Sequence, residues 1–312
     1  MLKYMMKRIA YMFISLFIIT SVTFMLIHSI PGNPIEAMCE RLPESTRQHM
    51  FEMYGFDKPL SEQYKDFWEN LIVERDLGES LKHRGRKVTD TIKRYAPVSG
   101  LLGVQAILIG LIFGIMLGVV AALNRGRRLD YLVMLLAILG VSIPNFIVAS
   151  LLQYFLAFKL GWLPSTGWEG FSYTILPSIA LSFSLIAEYS RYMRANCLDV
   201  LNQDYIMAAK AKGLSRFQII RKHVIRNAIL PIITLIGPQL ARMFGGVFVV
   251  ETIFSIPGLG AYFVESVANR DYTMIMGQTI FLSTLYILST MIVDILYCVV
   301  DPRIKLDRAG ER

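Results

Sequence analysis

Two places in the 312-residue sequence hold polar side chains that plain solvation does not account for. The first is Gln239 and Arg242, inside the apolar run 227–251 that also carries Pro238, Gly245 and Gly246. Arginine keeps its charge in proteins. Near the middle of a bilayer that charge costs about 2.5–3.5 kcal/mol even on the most lenient insertion scale. Arg242 must therefore face water, a partner helix or an anion. Two readings stand: it lines a cavity and meets a substrate group such as a carboxylate, or it belongs to a structural pair or snorkels to the interface. Glu251 lies too far along the same segment for direct contact. The second place is residues 204–231, which are basic and water-facing between two long apolar runs. Ala208, Ala209 and Ala211 give it a small, flat side that another surface can approach closely. Lys210, Lys212 and Arg216 suit an acidic partner, or lipid headgroups. Two further acids, Glu188 and Asp294, sit nearer the ends of apolar runs; Glu188 is expected to pair with Arg191 and Asp294 with a neighbouring helix.

Other chemistries lack their residues. There is no G-x-x-x-x-G-K-[ST] to cradle phosphates, no H-E-x-x-H and no G-x-S-x-G. Cys39, Cys197 and Cys298 have no CxxC or zinc spacing and read as free structural thiols. Of the four histidines, only His28 approaches an apolar run. The chain therefore reads as a binding or transport component rather than an enzyme, with no cofactor or metal of its own.

The elements that position these residues follow from hydropathy. The chain is 54% hydrophobic and 18% charged with mean hydropathy +0.48, which assigns it to integral membrane proteins. About 20 apolar residues span the hydrocarbon, and six runs qualify: 9–29, 98–122, 131–158, 173–192, 227–251 and 275–300. The expected fold is an all-α membrane protein with six transmembrane helices. Domains are expected at 1–29, 30–97, 98–300 (holding the loop 193–226) and 301–312. Net charge +8 places lysine and arginine in cytoplasmic loops rather than against nucleic acid. Both termini are then cytoplasmic, and 30–97 is a large extracytoplasmic segment. The run from Ile9 is too long for a cleaved leader and reads as a retained helix.

Within 30–97, a helix at 44–54 ends at Gly55. Ser61 is expected to cap a second helix whose Tyr64, Phe67, Trp68, Leu71 and Ile72 share one face. That face packs on the bundle rim or rests on the membrane. Pro144, Pro177 and Pro238 are expected to kink their helices. In the basic stretch, Asp204 is expected to cap a short helix over 204–212, Gly213 to end it, and Ser215 to cap a helix at 216–228 that runs into the fifth apolar run.

The stretch Tyr205 through Leu214 with Arg226-Asn-Ala-Ile-Leu-Pro231 resembles the Ala-Ala…Gly loop of permease subunits of ABC importers. It is most similar to the oligopeptide/dipeptide/nickel branch, in particular its oligopeptide permease B subunits. Other matching pieces are Pro31-Gly-Asn-Pro, Tyr54-Gly-Phe-Asp-Lys-Pro-Leu, Asp76-Leu-Gly-Glu-Ser, Ser142-Ile-Pro-Asn-Phe, Phe254-Ser-Ile-Pro-Gly-Leu-Gly and Asp301-Pro-Arg-Ile-Lys-Leu. The resemblance implies a coupling helix docked on a separate ATPase, carried by Tyr205, Met207, Ala208, Ala209, Lys210, Lys212, Gly213 and Leu214. The family's Glu before the two alanines is here Met207, so a Glu-mediated ATPase contact is not carried over. The resemblance also implies a homologous permease partner, two ATPase subunits that hold ATP and Mg, and an extracytoplasmic binding protein. The cargo it implies is oligopeptide, with dipeptide, glutathione or nickel as alternatives. An ion-gradient-driven secondary transporter is the rival class; it would call for midplane carboxylates.

Overall fold

The computed structural model describes residues 2–30, 43–83 and 85–300. Pro31-Gly-Asn-Pro, Cys39 and the basic tail 301–312 lie outside the described residues, as do the side chains of Asp294 and Cys298. The described chain is helical, with one isolated β-bridge between Glu79 and Lys87. It divides into two units: Met1–Pro97 with Gly258–Ile287, and Val98–Pro257 with Leu288–Arg312.

The first unit contains α1 (Leu2–His28), α2 (Glu44–Tyr54) and α3 (Leu60–Glu69, continued by a π-helical turn Asn70–Glu74). It also holds the first ten residues of α4 (Val88–Leu123), α12 (Leu259–Ala268) and most of α13 (Tyr272–Val300). Gly55 closes α2 with φ +70°, as expected of a glycine C-cap. Ser61 does not cap α3. Pro59 takes the N-cap position and Ser61 lies inside the helix, because proline's fixed φ already sets the helix entry two residues earlier.

The aromatic face of α3 packs on α1. Phe17 stacks on Trp68 at 5.2 Å, Phe24 meets Tyr64 edge-on at 5.2 Å, and Ser21 Oγ lies 2.6 Å from Tyr64 Oη. Ile72 departs from that face and is 67% exposed. The π turn puts more residues in each turn than an α-helix does, and so rotates Ile72 off the stripe. Asp271, buried ahead of α13, accepts from Ser80 Oγ, from the Leu81 amide at 3.1 Å and from the Met274 amide at 3.3 Å. The Asp76-Leu-Gly-Glu-Ser motif thus ends on the α13 cap. Tyr262 donates to Tyr95 at 2.8 Å; burial first, then that bond, hold its phenol well above the usual range, so it stays a donor.

The second unit holds the rest of α4 and α13, with α5 (Arg128–Ser142), α6 (Asn145–Lys159), α7 (Phe171–Leu201), α8 (Asp204–Ala211), α9 (Arg216–Ala228), α10 (Leu230–Gly246) and α11 (Phe248–Ile253). α7 is its axis: Leu181, Leu185, Tyr189 and Met193 are all buried. They repeat every four residues and therefore form one stripe. Opposite them run Gly110, Gly114 and Gly118 of α4. A Cβ at these positions would lie 2.7 Å from Leu185 Cβ, 2.6 Å from Tyr189 Cβ and 2.5 Å from Met193 Cβ. Only glycine lets the two helices approach this closely.

Among the described residues, four helices are long and apolar enough to cross a membrane, or six if each of two bent pairs is one span. The expected third run, 131–158, is not a single helix: α5 and α6 meet at 99°. Ile143 is extended (φ −85°, ψ 121°) because the ring of Pro144 excludes the helical region before it, and α6 restarts with Pro144 as its N-cap. Pro177 and Pro238, expected to act alike, sit inside continuous helices. The fifth run bends 45° between Ala228 and Leu230, one residue before Pro231, which has no amide proton to continue the ladder.

Candidate functional site

In the basic stretch, α8 begins at Asp204, but Asp204 is not its cap. Gln203 is the extended N-cap residue, with no side-chain hydrogen bond, and Asp204 is the first helical residue. There its charge still favours the positive helix end. Gly213 ends the element in the left-handed region at φ +78°, with its amide on Lys210 O at 3.0 Å and the Leu214 amide on Ala209 O at 3.3 Å. Ser215 forms the expected cap and does so reciprocally: Gln218 N donates to Ser215 Oγ, and Ser215 N donates to Gln218 Oε1 at 3.0 Å. α9 then leads, through a π-helical stretch Ile220–Ile225, to the bend before α10.

α8 has two sides. Ile206 is fully buried and Ala209 is 6% exposed; both join the core with Ile219, Val224 and Ala228. Leu214 packs against the same core. Tyr205, Met207, Ala208, Lys210, Ala211 and Lys212 are exposed. The expected flat alanine side is therefore corrected at one position: Ala209 faces this chain's own core, three residues from Ile206, and leaves Ala208 and Ala211 outward. Ile206 was not singled out from sequence; its apolar i, i+3 relation to Ala209 is the signal that marks it. Asn196 Nδ2 donates to Ala228 O at 3.0 Å and ties the end of α7 to α9.

Gln239 and Arg242 come together on a cavity of about 460 Å³, with Val141, Asn145, Leu181, Ser184, Leu185, Glu188 and Met243. Arg242 is exposed and Gln239 is 2% exposed. Gln239 Nε2 donates to Glu188 Oε2 at 2.7 Å, so the carboxylate expected to pair with Arg191 is held across helices instead. Pairing with Arg191 on α7 itself loses to this contact because Gln239 offers a buried donor to the face that Glu188 occupies. Gln239 Oε1 and Asn145 Oδ1 are buried without a hydrogen-bond partner. Sequence reading missed Asn145 and the place of Glu188. Asn145 opens α6 just after the 99° break, and Gln239 and Arg242 lie on α10 beyond the 45° bend.

A separate cavity of about 440 Å³ lies in the first unit, lined by Phe24, His28, Tyr54, Phe67, Tyr272 and several acids. Two of its acids have local duties. Asp66 accepts from Lys58 at 2.5 Å, which holds that ammonium above the usual lysine value, and Asp76 accepts from the Gly78 amide. Among the described residues no group of three His, Cys, Asp or Glu could hold a metal ion.

Residues 114–306 match the family described as binding-protein-dependent transport system inner membrane component, and residues 1–97 match its N-terminal companion. The chain is 45% identical to the dipeptide transport system permease protein DppB of Bacillus subtilis over 99% of this chain and 100% of the relative. It is 40% identical to the oligopeptide transport system permease protein OppB of Haemophilus influenzae over 98% of this chain and 100% of the relative. Among solved structures, the MetNI methionine ABC transporter shares the fold with TM-score 0.56 at 17% identity, over 68% of this chain and 97% of that one.

Proposed function

Because the chain belongs to the binding-protein-dependent transport system inner membrane component family, we propose that it passes short peptides across the bacterial membrane as one permease subunit of an ATP-driven importer. It is a translocation subunit, not an enzyme. Oligopeptides are the leading cargo, and dipeptides are the second reading, favoured by the 45% identity to a dipeptide permease. Six spans, cytoplasmic termini and an extracytoplasmic 30–97 segment complete the reading, with each bent helix pair counted as one span. A homologous permease subunit, two ATPase subunits carrying ATP and Mg, and an extracytoplasmic binding protein are the partners.

One observation carries this reading: α8 turns Ile206 and Ala209 into its own core while Tyr205, Met207, Ala208 and Lys210 face outward. A helix anchored on one side and bare on the other can take a push from a partner without being torn loose. Through Gly213, the Ser215–Gln218 box and α9, that push reaches α10, which bears Gln239 and Arg242. Alternating access follows if the ATP-bound partner holds the outward form more tightly than the inward one. Peptide then enters from the binding protein, and hydrolysis resets the gate.

The test is Ala208→Trp in the assembled importer, in membrane vesicles with its binding protein. A bulky ring on the docking face should cut ATP-dependent peptide uptake by about tenfold or more while the subunit still inserts, given that a well-packed contact residue is worth about 2 kcal/mol. Unchanged uptake, or purification from its native membrane with no ATPase attached, would sink the reading.

A further inference from the structure

The cavity holding Arg242 carries an opposite charge that sequence reading did not place there. Glu188 lines it from α7, Arg242 from α10, and among the described residues no ion pair joins them. An acid and a guanidinium on one partly apolar cavity would normally pair with each other. Here Glu188 is pinned by Gln239 Nε2 at 2.7 Å, on one oxygen only. Its other oxygen, the Arg242 guanidinium, Gln239 Oε1 and Asn145 Oδ1 are left as binding groups. Gln239 is 98% buried, judged by its 2% exposure, so its unpartnered carbonyl is not a solvated surface group. A buried acceptor without a partner costs about 1–3 kcal/mol, and a ligand N–H would relieve that cost. Leu181, Leu185, Met243 and Val141 supply apolar wall. At about 460 Å³ the space falls within the range of small-molecule pockets.

The geometry points to a subsite for a zwitterion: Arg242 donates to the free carboxylate of a short peptide, and Glu188 accepts from its free ammonium. Asn145 Oδ1 and Gln239 Oε1 accept from N–H groups between the two ends. Gln239 is also a positioning residue, because its Nε2 keeps Glu188 turned into the cavity and away from Arg191. This inference rests on the importer reading and adds the chemical requirement that both peptide ends be charged. It separates this cavity from a neutral pore: a carboxylate alone, or an amine alone, would satisfy half of it and leave the other charge unanswered.

The experiment uses the purified complex of permease and ATPase subunits in lipid nanodiscs, without the binding protein, whose own selectivity would mask the permease. Saturation-transfer NMR titrations compare alanyl-alanine, its N-acetyl form and its C-terminal amide. The wild-type complex should bind the free dipeptide, and each blocked form should bind about tenfold more weakly, the loss of one charge-assisted hydrogen bond. Glu188→Gln should abolish the difference between free and N-acetylated peptide while keeping the penalty for the amide. Arg242→Met should do the reverse, and Arg242→Lys should restore the amide penalty in part. Several results overturn the subsite: no binding of the free dipeptide to the wild-type complex, equal binding of all three peptides, or a uniform loss of all three in either variant. The wild-type comparison needs no substitution, so a variant that fails to assemble does not protect the idea. ATPase copurification is scored in parallel. Its absence in the wild type removes the importer reading itself, whereas its presence without discrimination between peptide ends removes only the subsite.

Discussion

Asp130 is 2% exposed and accepts two hydrogen bonds from one guanidinium, Arg194 Nε at 2.5 Å and Nη2 at 2.8 Å, plus one from the Gly126 amide at 3.0 Å. The pair ties the first turn of α5 to α7. Asp130→Asn removes the charge but keeps the shape and leaves Arg194 uncompensated. It should destabilise the detergent-solubilised protein by about 3 kcal/mol, at the low end for a broken buried pair because the Arg194 side chain is 28% exposed. Arg194→Gln should cost a similar amount, and the double variant no more than either single one; additive losses in thermal unfolding would refute the pairing. The sequence made Arg194 legible only as one of many cytoplasmic cations, because its partner is 64 positions away. Local chemistry was legible where it is local: the Gly55 and Gly213 stops and the Ser215 cap all hold. Asp204 and Ser61 were not legible as non-caps, since the entry backbone set by Gln203 and Pro59 decided those helix starts.

Among elements, the close approach of α4 and α7 is the most demanding. Gly114 has Ile186 O at 3.1 Å and Tyr189 Cβ at 2.6 Å from where a Cβ would stand. Gly114→Leu should lower the unfolding temperature clearly, since overpacking of this kind costs about 1–3 kcal/mol or more. Leu108→Ala, on an exposed face of the same helix, should change it little; equal effects would show that the glycine face is not the contact. The three glycines recur every four residues and could have been read as a packing face. The apolar runs were legible as membrane segments because hydropathy needs no partner. The 99° break was not, since a proline in a run can either end a helix, as Pro144 does, or sit within one, as Pro177 and Pro238 do. Which happens depends on whether neighbours satisfy the freed carbonyl, and that is a tertiary fact.

For the whole molecule, the proposed sidedness is open to direct measurement. With the native cysteines replaced, Glu62→Cys should react with a membrane-impermeant maleimide from outside intact cells, and Lys212→Cys only after the membrane is opened. Both positions are exposed in the structure. Labelling of both from one side would overturn the topology. Family and transport class were legible from end-to-end motif order, because motifs are local in sequence and are read without the fold. The cavity was legible only by half: Arg242 stood out against lipid, whereas Glu188 and Asn145 come from other helices and meet it only once the chain is folded. The two-sidedness of α8 bears on how such assemblies diversify. The residues that fix its place in the chain, Ile206 and Ala209, differ from those a partner can touch. On the docking role proposed above, substitutions at 205, 207, 208 and 210–212 redirect the subunit to a different ATPase, or insulate two importers in one cell from each other, while the inward positions stay unaltered and the helix keeps its seat.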